Sequence, residues 1–221
     1  MTLWELGDPR GGPRHRPIAV GGDLSAERLA LAYASGVFPW SSGPEGPHWW
    51  CPEPRCVVLT ADWEPPRGLA KALRKPVWTV TRDQAFGEVM RACAEAPRPG
   101  QDGTWITGEF LAAYGELHRR GLAHSVEVWR EGALVGGLYG VQMGRLFCGE
   151  SMFHRVTDAS KVAFAHLIGR LREHGCPLVD CQVPTPHLMS LGALPCRRDD
   201  FLDAVEALVG VKPAEGLWEG E

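Results

Sequence analysis

The sequence predicts an α+β fold, in which an antiparallel meander leads into a helix and a further strand, behind a smaller N-terminal α/β unit. Three observations carry this. HSVEVWR, ALVGGLYGVQ and RLFCGESMF are successive β-rich runs, separated by Glu131-Gly132 and Met143-Gly144 turn pairs. The long segment ASKVAFAHLIGRLREHG follows with a helical pattern, and LVDCQV after it has the length and apolarity of a short buried strand.

From the start of the chain, residues 1–17 are rich in Gly, Pro and Arg and read as a loosely held lead-in. DLSAERLALAYASG is a helix: Asp23 or Ser25 can cap it, Leu29, Ala32 and Tyr33 recur at helical spacing, and Gly36 can end it. VFPWSSGPEGPHWWCPEPR, dense in Pro, Gly and Trp, is expected to be loop. VVLT (57–60) reads as a strand, PRGLAKALRK as a helix from about Pro66, and VWTVTR as a strand. DQAFGEVMRACAEA and GEFLAAYGELHRRG are amphipathic helices on either side of the glycine-punctuated loop RPGQDGTWIT. HLMSLGA is a brief helical piece and RDDFLDAVEALVG a final helix. The expected division is 1–62 for the small N-terminal domain and 63–221 for the larger one.

Composition narrows the class. At 44% hydrophobic and 23% charged residues over 221 positions, the chain can bury a sizeable core. No apolar run approaches the ~20 residues of a membrane helix, and the N-terminus has no signal-like apolar stretch, so a cytoplasmic location is expected. The seven cysteines form no CxxC and are expected to be reduced and mostly buried. No metal-ligand spacing links the histidines, and His118, His124 and His187 read as structural or surface groups. The net charge of −4 excludes a uniformly basic protein but not a local basic patch.

Such a patch is present. Between Pro65 and Arg82 there are five basic residues and no acidic one. Arg67, Lys71, Arg74 and Lys75 stand at i, i+4, i+7 and i+8, on one helix face, either as a solvated surface or as a phosphate-facing stripe. The loop tryptophans Trp40, Trp49, Trp50 and Trp105 could stack on a base or close over a core.

Three polar residues sit where strands should be buried. Strand alternation puts Asp180 and Gln182 on one face of LVDCQV with Cys181 opposite, and Glu150 interrupts an otherwise apolar or small run. A buried carboxylate needs a partner. The group reads either as a satisfied hydrogen-bond network or as a joint site with a general base and a positioned amide. Around it, Leu138, Tyr139, Leu146, Phe147, Met152 and Phe153 either fill a core or wall an apolar pocket. A pocket with a carboxylate in its wall would suit an apolar aminoacyl group, with Glu150 meeting its α-amino group.

The segments GGDLSAERLALAYASGVFPW, HWWCPEPR, DGTWIT, HSVEVWREGALVGGLYGV, LFCGESMF, DASKVA, LVDCQVPTPHLMSLGA and RRDDFL, in this order over residues 18–205, resemble the bacterial leucyl/phenylalanyl-tRNA–protein transferase family. The resemblance implies transfer of Leu, Phe and less well Met from aminoacyl-tRNA to proteins with N-terminal Arg or Lys, marking them for N-end-rule degradation. It implies an acyl-CoA N-acyltransferase-like catalytic domain and no metal or organic cofactor. The sequence itself leaves the oligomeric state open, with a monomer as the default. Carried over by motif, Glu150, Asp180 and Gln182 are the catalytic candidates. By the same resemblance Trp40 and Trp105 would help hold the terminal adenosine and the pocket, and the apolar strand residues Leu138, Phe147, Met152 and Phe153 would lie around the side chain. Leu138 stands where some members carry Met, and CPEPR where SPDPR is common.

In the expected reaction the acceptor amine attacks the ester directly, with Asp180 and Gln182 taking or stabilising the proton, or with the ribose hydroxyl shuttling it. Arg67, Lys71, Arg74 and Lys75 would bind acceptor-stem phosphates. The sequence also admits three rival readings. A CoA-dependent N-acetyltransferase of the same fold would want glycines where the chain has HRVTDASK. A thiol acyltransferase would use Cys148 or Cys181. A non-catalytic RNA-binding module would leave the acidic pocket unexplained.

Overall fold

The computed structural model describes residues 8–97 and 104–219. In chain order the elements are β1 (Ala19–Val20), α1 (Ala26–Ala34), β2 (Phe38–Gly43), β3 (Gly46–Trp50), β4 (Arg55–Leu59), α2 (Arg67–Leu73), β5 (Thr79–Arg82), α3 (Phe86–Glu95) and α4 (Gly108–Arg119). They continue as β6 (Ala123–Arg130), β7 (Ala133–Met143), β8 (Leu146–His154), α5 (Ala159–Glu173), β9 (Leu178–Gln182), α6 (Pro186–Ser190), β10 (Leu194–Cys196) and α7 (Arg198–Leu208).

The expected meander is β6–β7–β8, followed by α5 and then by β9, which pairs with β8 in parallel. A parallel partner needs a crossover, and the α5 helix supplies it. Glu131 and Gly132 both take positive φ, 53° and 78°, as a two-residue hairpin turn requires. Gly144 is fixed more tightly: at φ +57° a Cβ there would lie 2.3 Å from the Val209 carbonyl oxygen. The large sheet has seven strands in the order β10-β4-β9-β8-β7-β6-β5. On one face α5 and α2 pack through Leu69, Ala72, Val162 and Leu167; on the other α1, α3, α4 and α7 pack through Tyr33, Val89, Tyr114 and Phe201.

Two expectations are corrected here. The Trp- and Pro-rich stretch is not a loop but the hairpin β2–β3, which with β1 forms a separate three-stranded sheet. Proline lacks a donor, but a small sheet with a register shift between Pro39 and Ser42 tolerates it. Trp49 is fully buried and its indole N–H donates to the Gly21 carbonyl at 2.9 Å, so it is core. The second difference concerns the division after residue 62: β4 precedes it yet lies inside the large sheet between β10 and β9. The middle of the loop RPGQDGTWIT, residues 98–103, lies outside the described residues. No described helix is long and apolar enough to cross a membrane.

Candidate active site

The site lies where β8 and β9 part. Their pairing stops at Cys148↔Asp180, while β8 runs on to His154 and β9 to Gln182. Two irregularities sit at this fork. Between β7 and β8 the register moves from Gly140↔Gly149 to Tyr139↔Ser151, which leaves Glu150 as the extra residue of a bulge. Between β4 and β9 it moves from Val57↔Asp180 to Cys56↔Gln182, which leaves Cys181 as the extra residue. Bulges re-aim side chains. Here they turn Glu150 and Gln182 toward each other: Gln182 Nε2 donates to Glu150 Oε1 at 2.7 Å.

The other carboxyl oxygen of Glu150 accepts from the Tyr114 hydroxyl at 3.1 Å, and Tyr33 bonds to Tyr114 behind it. Both tyrosines are buried, from α4 and α1 respectively. Burial pushes the Glu150 carboxyl up to about 8, although hydrogen bonds from Tyr33 and Tyr114 pull the other way. The nearby Asp180 charge adds to the rise and Arg55 opposes it. Burial, and then the Glu150 charge, push both tyrosine hydroxyls well above their ordinary range. Glu150 is therefore mostly a neutral acid at pH 7, able to share a proton with an incoming amine.

In front of this pair opens a cavity of about 780 Å³. Its walls are mainly apolar: Leu138, Phe147, Met152, Phe164, Leu167 and Val179. Glu150, Gln182 and Ser151 supply polar groups on one side, and Thr185 and His187 of the segment around α6 supply them on another. A concave, mainly apolar space with a few convergent polar groups is the form of a small-ligand site.

The match to known proteins now bears on this geometry. The family model of the leucyl/phenylalanyl-tRNA protein transferases matches residues 57–206, and the model of that family's N-terminal domain matches residues 22–53. The chain belongs to this transferase family. A leucyl/phenylalanyl-tRNA–protein transferase of Syntrophobacter fumaroxidans is 53% identical over 92% of this chain and 87% of its own length. One from Pseudomonas fluorescens is 56% identical over 84% of this chain and 82% of its own. A solved structure of L-PGS from Bacillus licheniformis overlaps 72% of this chain and 51% of its own at 12% identity, with a TM-score of 0.43, too remote to argue from.

Against this family background the expected residues fall into three groups. Glu150, Gln182, Leu138, Phe147 and Met152 meet at the cavity. Phe153 does not line it: alternation sends Met152 into the cavity and Phe153 to the opposite face, where it is buried beneath Arg155. Trp40 and Trp105 do not line it either. Trp40 packs against Trp50 with ring centres 5.5 Å apart, and Trp105 against Phe110 at 5.3 Å.

Asp180 differs most from expectation. It does not share a face with Gln182, because Gln182 takes a left-handed φ of 63° and its side chain swings into the cavity. Asp180 is fully buried and holds a two-point ion pair with Arg55, Nε to Oδ1 at 2.8 Å and Nη2 to Oδ2 at 2.5 Å. Oδ1 also accepts the Gln182 backbone N–H at 2.8 Å. A carboxylate so engaged has no route to a substrate amine. The expected general base is thus placed beneath the site rather than in it.

Arg55, Tyr33 and Tyr114 were not foreseen as site residues. The available signals were slight: an arginine opening a buried strand, and tyrosines on apolar helix faces, whose hydroxyls need a partner. His187, expected to be structural or surface, is exposed and also lines the cavity.

The basic stripe does form. Arg67, Lys71, Arg74 and Lys75 are exposed on and just after α2, with Leu69 and Ala72 buried on its other side. The cysteines are free, six buried and Cys196 half-buried. Burial pushes the Cys148 and Cys181 thiols well above their ordinary range, which leaves both poor nucleophiles. Among the described residues no cluster of His, Cys, Asp and Glu could hold a metal ion.

Proposed function

We propose that the chain transfers Leu or Phe, and less well Met, from aminoacyl-tRNA to the N-terminal Arg or Lys of acceptor proteins. The modified proteins would enter N-end-rule degradation, and because the donor is a translation substrate the setting is the cytoplasm. The observation that carries this reading is the Glu150–Gln182 pair at the wall of an apolar cavity large enough for an unbranched or γ-branched side chain.

The aminoacyl side chain lies among Leu138, Phe147, Met152 and Phe164. Its α-amino group meets Glu150, with which it shares one proton. One N–H of the Gln182 amide is engaged by Glu150, and its carbonyl oxygen is placed to accept an N–H from the attacking acceptor amine. The amine adds to the ester carbonyl, the ribose oxygen leaves with the proton that the amine loses, and an amide replaces the ester. The ester is already activated, so orientation supplies much of the rate and no enzyme-bound acyl group is needed. An apolar pocket discriminates by about 1–3 kcal/mol per methylene, which admits Leu, Phe and Met together. The stripe Arg67, Lys71, Arg74 and Lys75 contacts acceptor-stem phosphates without reading bases.

Transfer of labelled Phe from Phe-tRNA to peptides beginning with Arg, Lys or Ala tests this. The expected result is labelling of the first two alone. Equal labelling of all three, or of none by a folded protein that binds tRNA, would overturn it.

A further inference from the structure

We propose that Arg55 is a positioning residue for transfer: through Asp180 it holds the Gln182 backbone in the left-handed turn that aims the amide into the cavity. The proposal rests on the function given above.

Neither Arg55 nor Asp180 lines the cavity, and they are 1% and 0% exposed. An ion pair so deeply buried is a poor stabiliser, because desolvating both charges offsets most of their attraction. Apolar replacements of such pairs are often neutral or stabilising. Stability alone therefore does not account for a pair whose carboxylate stands two residues before Gln182. Its geometry does. The planar fork of Arg55 binds both carboxyl oxygens and so fixes the plane of the carboxylate. The oxygen bound to Nε is the one that accepts the Gln182 N–H. Gln182 is a non-glycine residue at φ 63°, a conformation that needs outside support.

The fork is itself held. The guanidinium carbon lies 4.8 Å from the Phe38 ring centre and 4.3 Å from that of Phe201, so β2 and α7 clamp it from two sides. The chain of contacts runs Phe38/Phe201, Arg55, Asp180, Gln182 backbone, Gln182 amide, Glu150. A lysine at position 55 keeps the positive charge but cannot bind both oxygens or stack as a plane. It separates charge from geometry.

The test is steady-state transfer of Phe to an Arg-initiated peptide by the full chain and by Arg55→Met, Arg55→Lys and Leu171→Ala. Leu171 is fully buried on α5, across the sheet, and serves as a purely destabilising control. Assays run well below every unfolding midpoint. Arg55→Lys is expected to recover much of the stability lost in Arg55→Met but not the rate: kcat falls about 10- to 100-fold while KM for aminoacyl-tRNA stays within about threefold. Leu171→Ala lowers the midpoint and leaves kcat in place. A folded Arg55→Lys with kcat within about threefold of the parent, or one whose kcat tracks stability as Leu171→Ala does, overturns the proposal. Should Arg55→Lys not fold, Phe201→Leu removes one clamping ring and carries the same test, with an expected kcat loss of about three- to tenfold and no loss as the contrary result. Absence of transfer by the parent chain overturns the function itself and this proposal with it.

Discussion

Replacing Glu150 with glutamine tests the electrostatics of the site with almost no change in shape. The amide can still accept from Gln182 and donate to the Tyr114 hydroxyl, so what is lost is the capacity to ionise. In the folded protein the Glu150 carboxyl is pushed up from its ordinary 4.5 to about 8, chiefly by burial. Its folded value thus lies above its unfolded value, and folding favours the protonated form. The stability tied to that proton is present in full below pH 4.5 and is lost as the pH rises through 8. At about 1.4 kcal/mol per pH unit the loss is roughly 5 kcal/mol above pH 8, about 3 kcal/mol at pH 7, and under ~1 kcal/mol at pH 5. Urea unfolding of parent and Glu150→Gln at pH 5, 7 and 9 measures it. Taking the difference between the two proteins at each pH cancels the histidines, which titrate in both. The variant should gain on the parent by about 4 kcal/mol between pH 5 and 9. A difference that stays constant within ~1 kcal/mol over that range would mean that Glu150 ionises normally, and that burial does not govern the site.

Two further outcomes follow from the same geometry. Cys181→Ala should cost no more than about threefold in kcat, read by peptide labelling, because its thiol is held neutral; a loss beyond ~10³-fold would restore a covalent thiol route. Reversing Arg67 and Lys71 to Glu should weaken tRNA binding most at low salt and reduce the slope of log K against log salt by roughly two, measured by filter binding at several ionic strengths. An unchanged slope would make the stripe a solvated surface.

The fold was legible where local pattern and tertiary need agree. β6 and β7 are marked by valines beside glycine turns, β8 by an apolar and aromatic run after the Met143-Gly144 turn, and α5 is long enough for its apolar periodicity to stand out. The hairpin of β2 and β3 was not legible, because Pro39 and Pro47 argue against strand wherever the sheet is not small and irregular. β10, at three residues with a proline in the middle, offers no pattern at all. In the site, Glu150 and Gln182 were visible as polar residues in apolar runs. The face each side chain takes was not, because two bulges break the period of two on which that inference depends. The same break misplaced Asp180. Its partner Arg55 is 125 residues away in sequence, and the Tyr33–Tyr114 bridge spans 81. Contacts at such separations leave no local trace.

The central claim is that the ester reacts beside the Gln182 amide while the rest of the protein binds tRNA. Single-turnover transfer by Gln182→Ala, with tRNA affinity measured in parallel, tests this directly. Affinity should stay within a few-fold of the parent while the transfer rate falls by roughly 10²-fold or more. A parental rate at full occupancy would contradict it, and would move the reacting ester away from the fork of β8 and β9.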